Sequence, residues 1–124
     1  MNEEKRKYPR YAVQIPALFK ILGPVIPFEA VTILNISADG IGFLSPKKLP
    51  KGTLLKIDME LPERETVSLK VEVMWSDQTS SDGNFKVGVF ILDSSTRNEE
   101  KFIKFYCLQM LKNVRKNIET PDKA

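Results

Sequence analysis

Most of this chain alternates apolar and polar residues with a period of two, and its end does not. Tyr11, Val13, Ile15, Ala17, Phe19 and Ile21 alternate without a break. Leu55, Ile57, Met59 and Leu61 alternate with Lys56, Asp58 and Glu60, and Val67, Leu69, Val71, Val73 and Trp75 repeat the pattern. Phe85, Val87, Val89 and Ile91 form one more such run. A period of two is the signature of a strand with one face buried and the other in water. Between the first two alternating runs lie a more continuously apolar strand, Phe28 to Leu34, and a short one, Ile41 to Leu44, ended by Ser45-Pro46. Gly23-Pro24, Pro27 and the polar loop 77–84, with Asp82-Gly83 turn chemistry, punctuate the series.

The period then changes. Thr96 and Glu99 fit a capping box, with Thr96 as N-cap. After them Ile103, Cys107, Met110, Leu111 and Val114 fall on one helical face, with Phe102 and Tyr106 beside it. That face is expected to pack on the strands, with Cys107 as a small buried hydrophobe. Lys112, Arg115 and Lys116 occupy the last turns, where cations suit the helix dipole.

Six short strands followed by one amphipathic helix predict a mainly β fold, a six-stranded antiparallel barrel with a C-terminal α-helix. Closure removes exposed edges, and the helix can cover an open end. The 124 residues suffice for one core. The expected division is an N-terminal arm at 1–10, the barrel and helix at 11–117, and a frayed tail at 118–124.

Composition narrows the function. The chain has no histidine and a single cysteine, Cys107. This removes the commonest general base and metal ligand, any Ser-His or Cys-His pair, and any internal disulfide. No acidic pair stands out, and Asp77 and Asp82 read as loop and turn residues, so neither catalysis nor a metal site is expected. A net charge of +3 is too small to indicate a bulk polyanion. No apolar run approaches membrane-spanning length and the charged start is not a signal peptide, so the expected location is the cytoplasm, without membrane insertion.

Two short motifs remain. Arg6 and Arg10 flank Lys7-Tyr8-Pro9 on a stiff segment, and Asn35-Ile36-Ser37-Ala38-Asp39-Gly40 ends the second strand. A hairpin centred near residue 24 brings Arg10 within a few residues of Asn35 and Ser37 at one barrel rim. Arginine offers a planar fork of donors for phosphate oxygens or the acceptor edge of guanine, and it also stacks on bases. Asn35 can accept from a guanine N–H, Ser37 can add a hydroxyl, and Gly40 permits an unusual backbone angle or a close approach to the ligand. Together they suit an anionic, guanine-like ligand. The bland alternatives are a solvated basic arm and a turn held by side-chain-to-backbone bonds.

In this order and strand context, R-x-x-x-R followed by N-x-S-x-x-G resembles the PilZ domain, a bacterial receptor module for cyclic di-GMP. Val73-Met74-Trp75 and Val87-Gly88-Val89-Phe90 resemble the family's late strands, and a C-terminal helix is usual there. The resemblance implies a PilZ-like barrel in which Arg6 and Arg10 bind phosphates and guanine faces while Asn35, Ser37 and Gly40 hold a guanine. Lys5, directly before Arg6, can add a phosphate contact, and the alternative reading is a disordered arm residue. Asn35 stands where many members have aspartate. Trp75 lies in the apolar phase of its strand, which favours core packing over stacking on a base.

The function expected is therefore a non-catalytic receptor for cyclic di-GMP, needing no cofactor. Ligand would order the N-terminal arm and alter the surface offered to a protein partner. The alternative is an interaction adaptor with the same fold that binds no nucleotide. Nucleic acid is not an expected partner, because the aromatics follow the core phase. Monomer and homodimer both remain open.

Overall fold

The apolar halves of the alternating runs face one another around a closed wall. In the computed structural model, which describes residues 8–23, 27–79, 83–93 and 95–119, the strands are β1 (Tyr11–Ile21), β2 (Glu29–Ile36), β3 (Gly40–Ser45), β4 (Leu54–Leu61), β5 (Glu65–Gln78) and β6 (Phe85–Asp93). A helix, α1 (Thr96–Glu119), follows. The barrel closes in the order β1-β2-β3-β6-β5-β4, and every pairing is antiparallel. The expected six-stranded barrel with its C-terminal helix is what the chain forms. Of the expected arm and tail, residues 1–7 and 120–124 lie outside the described residues.

Inward positions carry the hydrophobic effect. Ile33, Ile36, Leu55, Ile57, Met59, Val67, Val71, Val73 and Val87 are all fully enclosed. Each such side chain contributes about 1.5–3 kcal/mol over its exposed state. Phe19 and Phe43 meet across the interior with ring centroids 5.5 Å apart. Leu49, from the loop after β3, is buried, and its backbone N–H donates to Ser76 Oγ at 3.3 Å.

Two expectations for α1 change. The cap is Ser95 rather than Thr96: Ser95 Oγ accepts from the Asn98 N–H at 3.2 Å, and its carbonyl accepts from the Glu99 N–H at 3.0 Å. Asn98 Oδ1 in turn accepts from the Ser68 N–H, tying the first turn to β5. The buried face also differs. Phe102, Phe105 and Tyr106 enter the core, whereas Ile103, Leu111 and Val114 are exposed and Cys107 is only half-buried. The bulkier aromatic stripe takes the barrel side because its larger rings bury more surface, which turns the aliphatic stripe toward solvent.

Bulges break the strict alternation. In the β2–β3 ladder the register shifts between Ile33 and Asn35, and in the β5–β6 ladder between Val73 and Trp75. An extra residue reverses which face the following side chains occupy. Val73 pairs with Val89 and points inward, but Trp75 then pairs with Gly88 instead of Val87. Trp75 therefore leaves the core phase and reaches the outer wall.

Candidate ligand site

The two bulges build one row of residues across four strands. Asn35 on β2 pairs with Gly42 on β3, Gly42 pairs with Gly88 on β6, and Gly88 pairs with Trp75 on β5. Both glycines are buried, beneath their neighbours' side chains. A Cβ at position 42 would lie 2.7 Å from Asn35 Oδ1, and one at 88 would overlap the indole atoms Cε2, Nε1 and Cζ2 of Trp75. An amide and an indole thus lean toward each other over a floor that only glycine leaves open.

The turn from β2 to β3 forms one end of this row. The Ser37 N–H donates to the Gly40 carbonyl at 2.9 Å, and Ser37 Oγ donates to Asp39 Oδ1 at 3.0 Å. The Asp39 carbonyl accepts from the Ile91 N–H at 2.9 Å, pinning the turn to β6. Ser37 is only 6% exposed, and its hydroxyl serves the turn at the edge of the cleft. At Gly40 the unusual backbone angle is not found, and the close contact present is with the barrel itself. Its φ is not among the positive ones, and a Cβ there would stand 2.9 Å from the Val89 carbonyl oxygen. That approach is to a neighbouring strand.

Arg10 completes the rim. Tyr11 pairs with Ile36, which sets the residue before β1 beside the Ser37 turn, as hairpin register suggests. The chain is anchored on both sides of Arg10: Tyr106 Oη donates to the Pro9 carbonyl at 3.0 Å, and the Tyr106 ring packs on Tyr11 with centroids 5.4 Å apart. Burial raises the Tyr106 pKa above its ordinary value, and the nearby Tyr11 adds to the shift. Arg10, Asn35, Ser37, Asp39, Gly40 and Trp75 line a common cleft of about 130 Å³.

Of the sequence-predicted residues, Arg10, Asn35, Ser37 and Gly40 come together here, while Lys5 and Arg6 lie outside the described residues. Sequence reasoning missed the glycine floor and the apolar lip formed by Met74 and Phe90, both exposed. Glycine inside two strands at outward positions was the available signal. The cleft offers a guanidinium, an amide, an indole and a hydroxyl around a flat base, which suits a planar heterocycle with a hydrogen-bonding edge and an attached anion. Among the described residues no group of three or more Cys, Asp or Glu is placed to hold a metal, and no helix is long and apolar enough to cross a membrane.

Comparison with solved structures returns the same architecture. The PilZ domain of YcgR from Escherichia coli, solved with c-di-GMP, superposes with a TM-score of 0.70 at 13% identity, covering 94% of this chain and 98% of that one. The K. pneumonia MrkH–c-di-GMP complex gives a TM-score of 0.73 at 16% identity over 90% of this chain and 55% of that one. The Bacillus subtilis inhibitor of motility MotI/DgrA gives 0.73 at 15% identity over 87% and 52%. The chain thus spans about half the length of the latter two proteins. No curated protein is similar enough in sequence to count as a relative. Residues 4–108, which hold both motifs and the whole barrel, match the PilZ domain, and the chain belongs to that family.

Proposed function

We propose that this chain is a receptor for cyclic di-GMP that binds the dinucleotide on the outer wall of its barrel and catalyses no reaction on it. One observation carries the reading. Arg10, from the first motif, and Asn35 and Ser37, from the second, line one cleft although 25 residues of sequence separate Arg10 from Asn35. The c-di-GMP complexes of YcgR and MrkH, which share the fold, support the choice of ligand.

In this reading the Arg10 guanidinium meets a phosphate oxygen or the O6/N7 edge of a guanine. Asn35 and the Ser37 oxygen accept from a guanine N–H edge, with Gly42 and Gly88 letting the Asn35 amide and the Trp75 indole lie close against the wall beneath the base. Trp75, Met74 and Phe90 supply apolar contact. Arg6 and Lys5 add phosphate contacts from the arm, and fixing that arm against the rim is the signal passed to a protein partner in the cytoplasm. No step requires a cofactor.

Isothermal titration with cyclic di-GMP, with GTP and cyclic GMP as controls, tests the proposal. Binding at low micromolar concentration or below is expected, and it should weaken by about tenfold or more in both Arg10→Ala and Asn35→Ala, since each loses a hydrogen bond to a charged or buried group. Absence of heat with cyclic di-GMP, or wild-type affinity in both variants, would overturn it.

A further inference from the structure

We infer that the groove between α1 and the turn after β4 is a docking site for an acidic, amphipathic helical segment of a protein partner. The groove has a volume of about 360 Å³, and none of its lining residues belongs to the cleft that holds Arg10 and Trp75. The inference therefore does not rest on nucleotide binding.

Two elements build the groove. The short turn Pro62–Arg64 stands on one side and α1 on the other. Leu61 and Phe105, each 8% exposed, form a recessed floor, and Leu108 and Leu111 rise from it along the helix side, 47% and 54% exposed. Lys101, Lys104, Leu108, Leu111 and Arg115 follow one another at intervals of three, four, three and four residues. That spacing sets cationic and apolar side chains on one face of the helix.

Charge selects the occupant. Lys101, Lys104, Lys112 and Arg115 line the groove against a single carboxylate, Glu65. Among the described residues none of the four cations forms a salt bridge. The surrounding charges do not reverse this balance. Arg97, four residues before Lys101, extends the cationic stripe. Glu99 leaves from the opposite side of the helix, about 160° from Lys101, and Glu100 lies outside the groove. Glu60 lines the adjoining hollow toward β1, and Glu63 and Arg64 cancel in formal charge. The groove thus keeps a positive excess around an apolar floor. Its complement is a segment that presents aliphatic anchors between carboxylates, the pattern of an amphipathic helix lying in a groove. A bilayer would require apolar side chains that protrude into it, whereas Leu61 and Phe105 are sunk between two walls.

Selection from a displayed library of random peptides on the full chain without nucleotide tests the inference, with counter-selection against the double variant Lys104→Glu, Lys112→Glu. Enriched peptides should carry Asp or Glu beside aliphatic residues at helical spacing. The leading peptide, fluorescein-labelled, should bind wild type at micromolar concentration by anisotropy and weaken as salt is added. Its affinity should fall by about tenfold or more in the double variant, which reverses the rim charge, and in Leu108→Ser, which removes an apolar contact. All three positions are exposed, so circular dichroism should be unchanged. Absence of enrichment on wild type over the double variant overturns the inference, and so does enrichment of basic or uncharged peptides. Full affinity in Leu108→Ser overturns it too, by reducing the contact to charge alone. Co-sedimentation of the chain with phosphatidylserine vesicles that is lost in the double variant would assign the cations to a membrane surface and overturn it equally. Since the variants leave the nucleotide cleft intact, failure here and failure of cyclic di-GMP binding are separate results.

Discussion

The indole of Trp75 occupies the space where residue 88 would carry a side chain: it crosses Gly88 so closely that a Cβ there would overlap three of its ring atoms. The ladder pairs the two residues directly. Gly88→Ala must therefore push the indole outward or lift β6. Because Gly88 is also the floor of the cleft, cyclic di-GMP affinity should fall by about tenfold or more, with a stability loss of about 1–3 kcal/mol from overpacking. Calorimetric titration and urea melts measure the two effects. Full affinity in the alanine variant would show that the glycine floor takes no part in binding.

Trp75 is the only tryptophan and it lines the cleft, so its fluorescence is a site-specific reporter. Cyclic di-GMP should change emission intensity or wavelength in proportion to occupancy, with a midpoint matching calorimetry. Saturating ligand without any spectral change would place the dinucleotide elsewhere on the barrel.

What could be read from the sequence and what could not divide along physical lines. The strands were legible because one face of each is buried, and burial writes a period of two into the residues. The meeting of Arg10 with Asn35 and Ser37 was legible because hairpin register is set by that same pattern. The outward turn of Trp75 was not. It depends on a bulge at Met74, and 67–75 reads as one unbroken apolar phase through it. The helix was legible in period but not in orientation, since Phe102-Phe105-Tyr106 and Ile103-Cys107-Met110-Val114 are both credible buried stripes. Only the shape of the barrel end decides between them. Ser95 was missed as the cap because Thr96 and Glu99 satisfy the same pattern one residue later.

Asn35 offers a neutral oxygen at the place where a carboxylate would accept a stronger, charge-assisted hydrogen bond. Its Oδ1 already lies over Gly42, and aspartate has the same shape, so Asn35→Asp should leave stability nearly unchanged. If this oxygen accepts from a guanine edge, cyclic di-GMP binding should tighten by roughly three- to tenfold, corresponding to about 1 kcal/mol. Weaker binding in the aspartate variant would mean that the residue faces a phosphate instead.

The hydrogen bond from Tyr106 to Pro9 joins the helix to the segment that presents Arg10. Tyr106→Phe keeps the ring contact with Tyr11 but leaves the Pro9 carbonyl without this donor, and should cost about 0.5–1.5 kcal/mol at neutral pH. The pH dependence has a definite sign. Burial raises the Tyr106 pKa above the value of 10.0 it has when unfolded, so the folded protein holds this proton more tightly than the unfolded chain does. The associated stability is fully present below pH 10 and is lost as pH rises from there through the folded pKa. The phenylalanine variant has no such proton to lose. The stability gap between wild type and Tyr106→Phe should therefore be constant from pH 7 to 9 and narrow above pH 10, while contributions from lysines and the other tyrosines cancel in the difference. Urea melts of both proteins across that range provide the measurement, and a gap that stays constant or widens at high pH would contradict a buried, hydrogen-bonded phenol at this position. The same substitution loosens the base of the arm, so cyclic di-GMP affinity should fall by a few-fold at neutral pH, where the Tyr106 charge is unchanged and only the tether is missing.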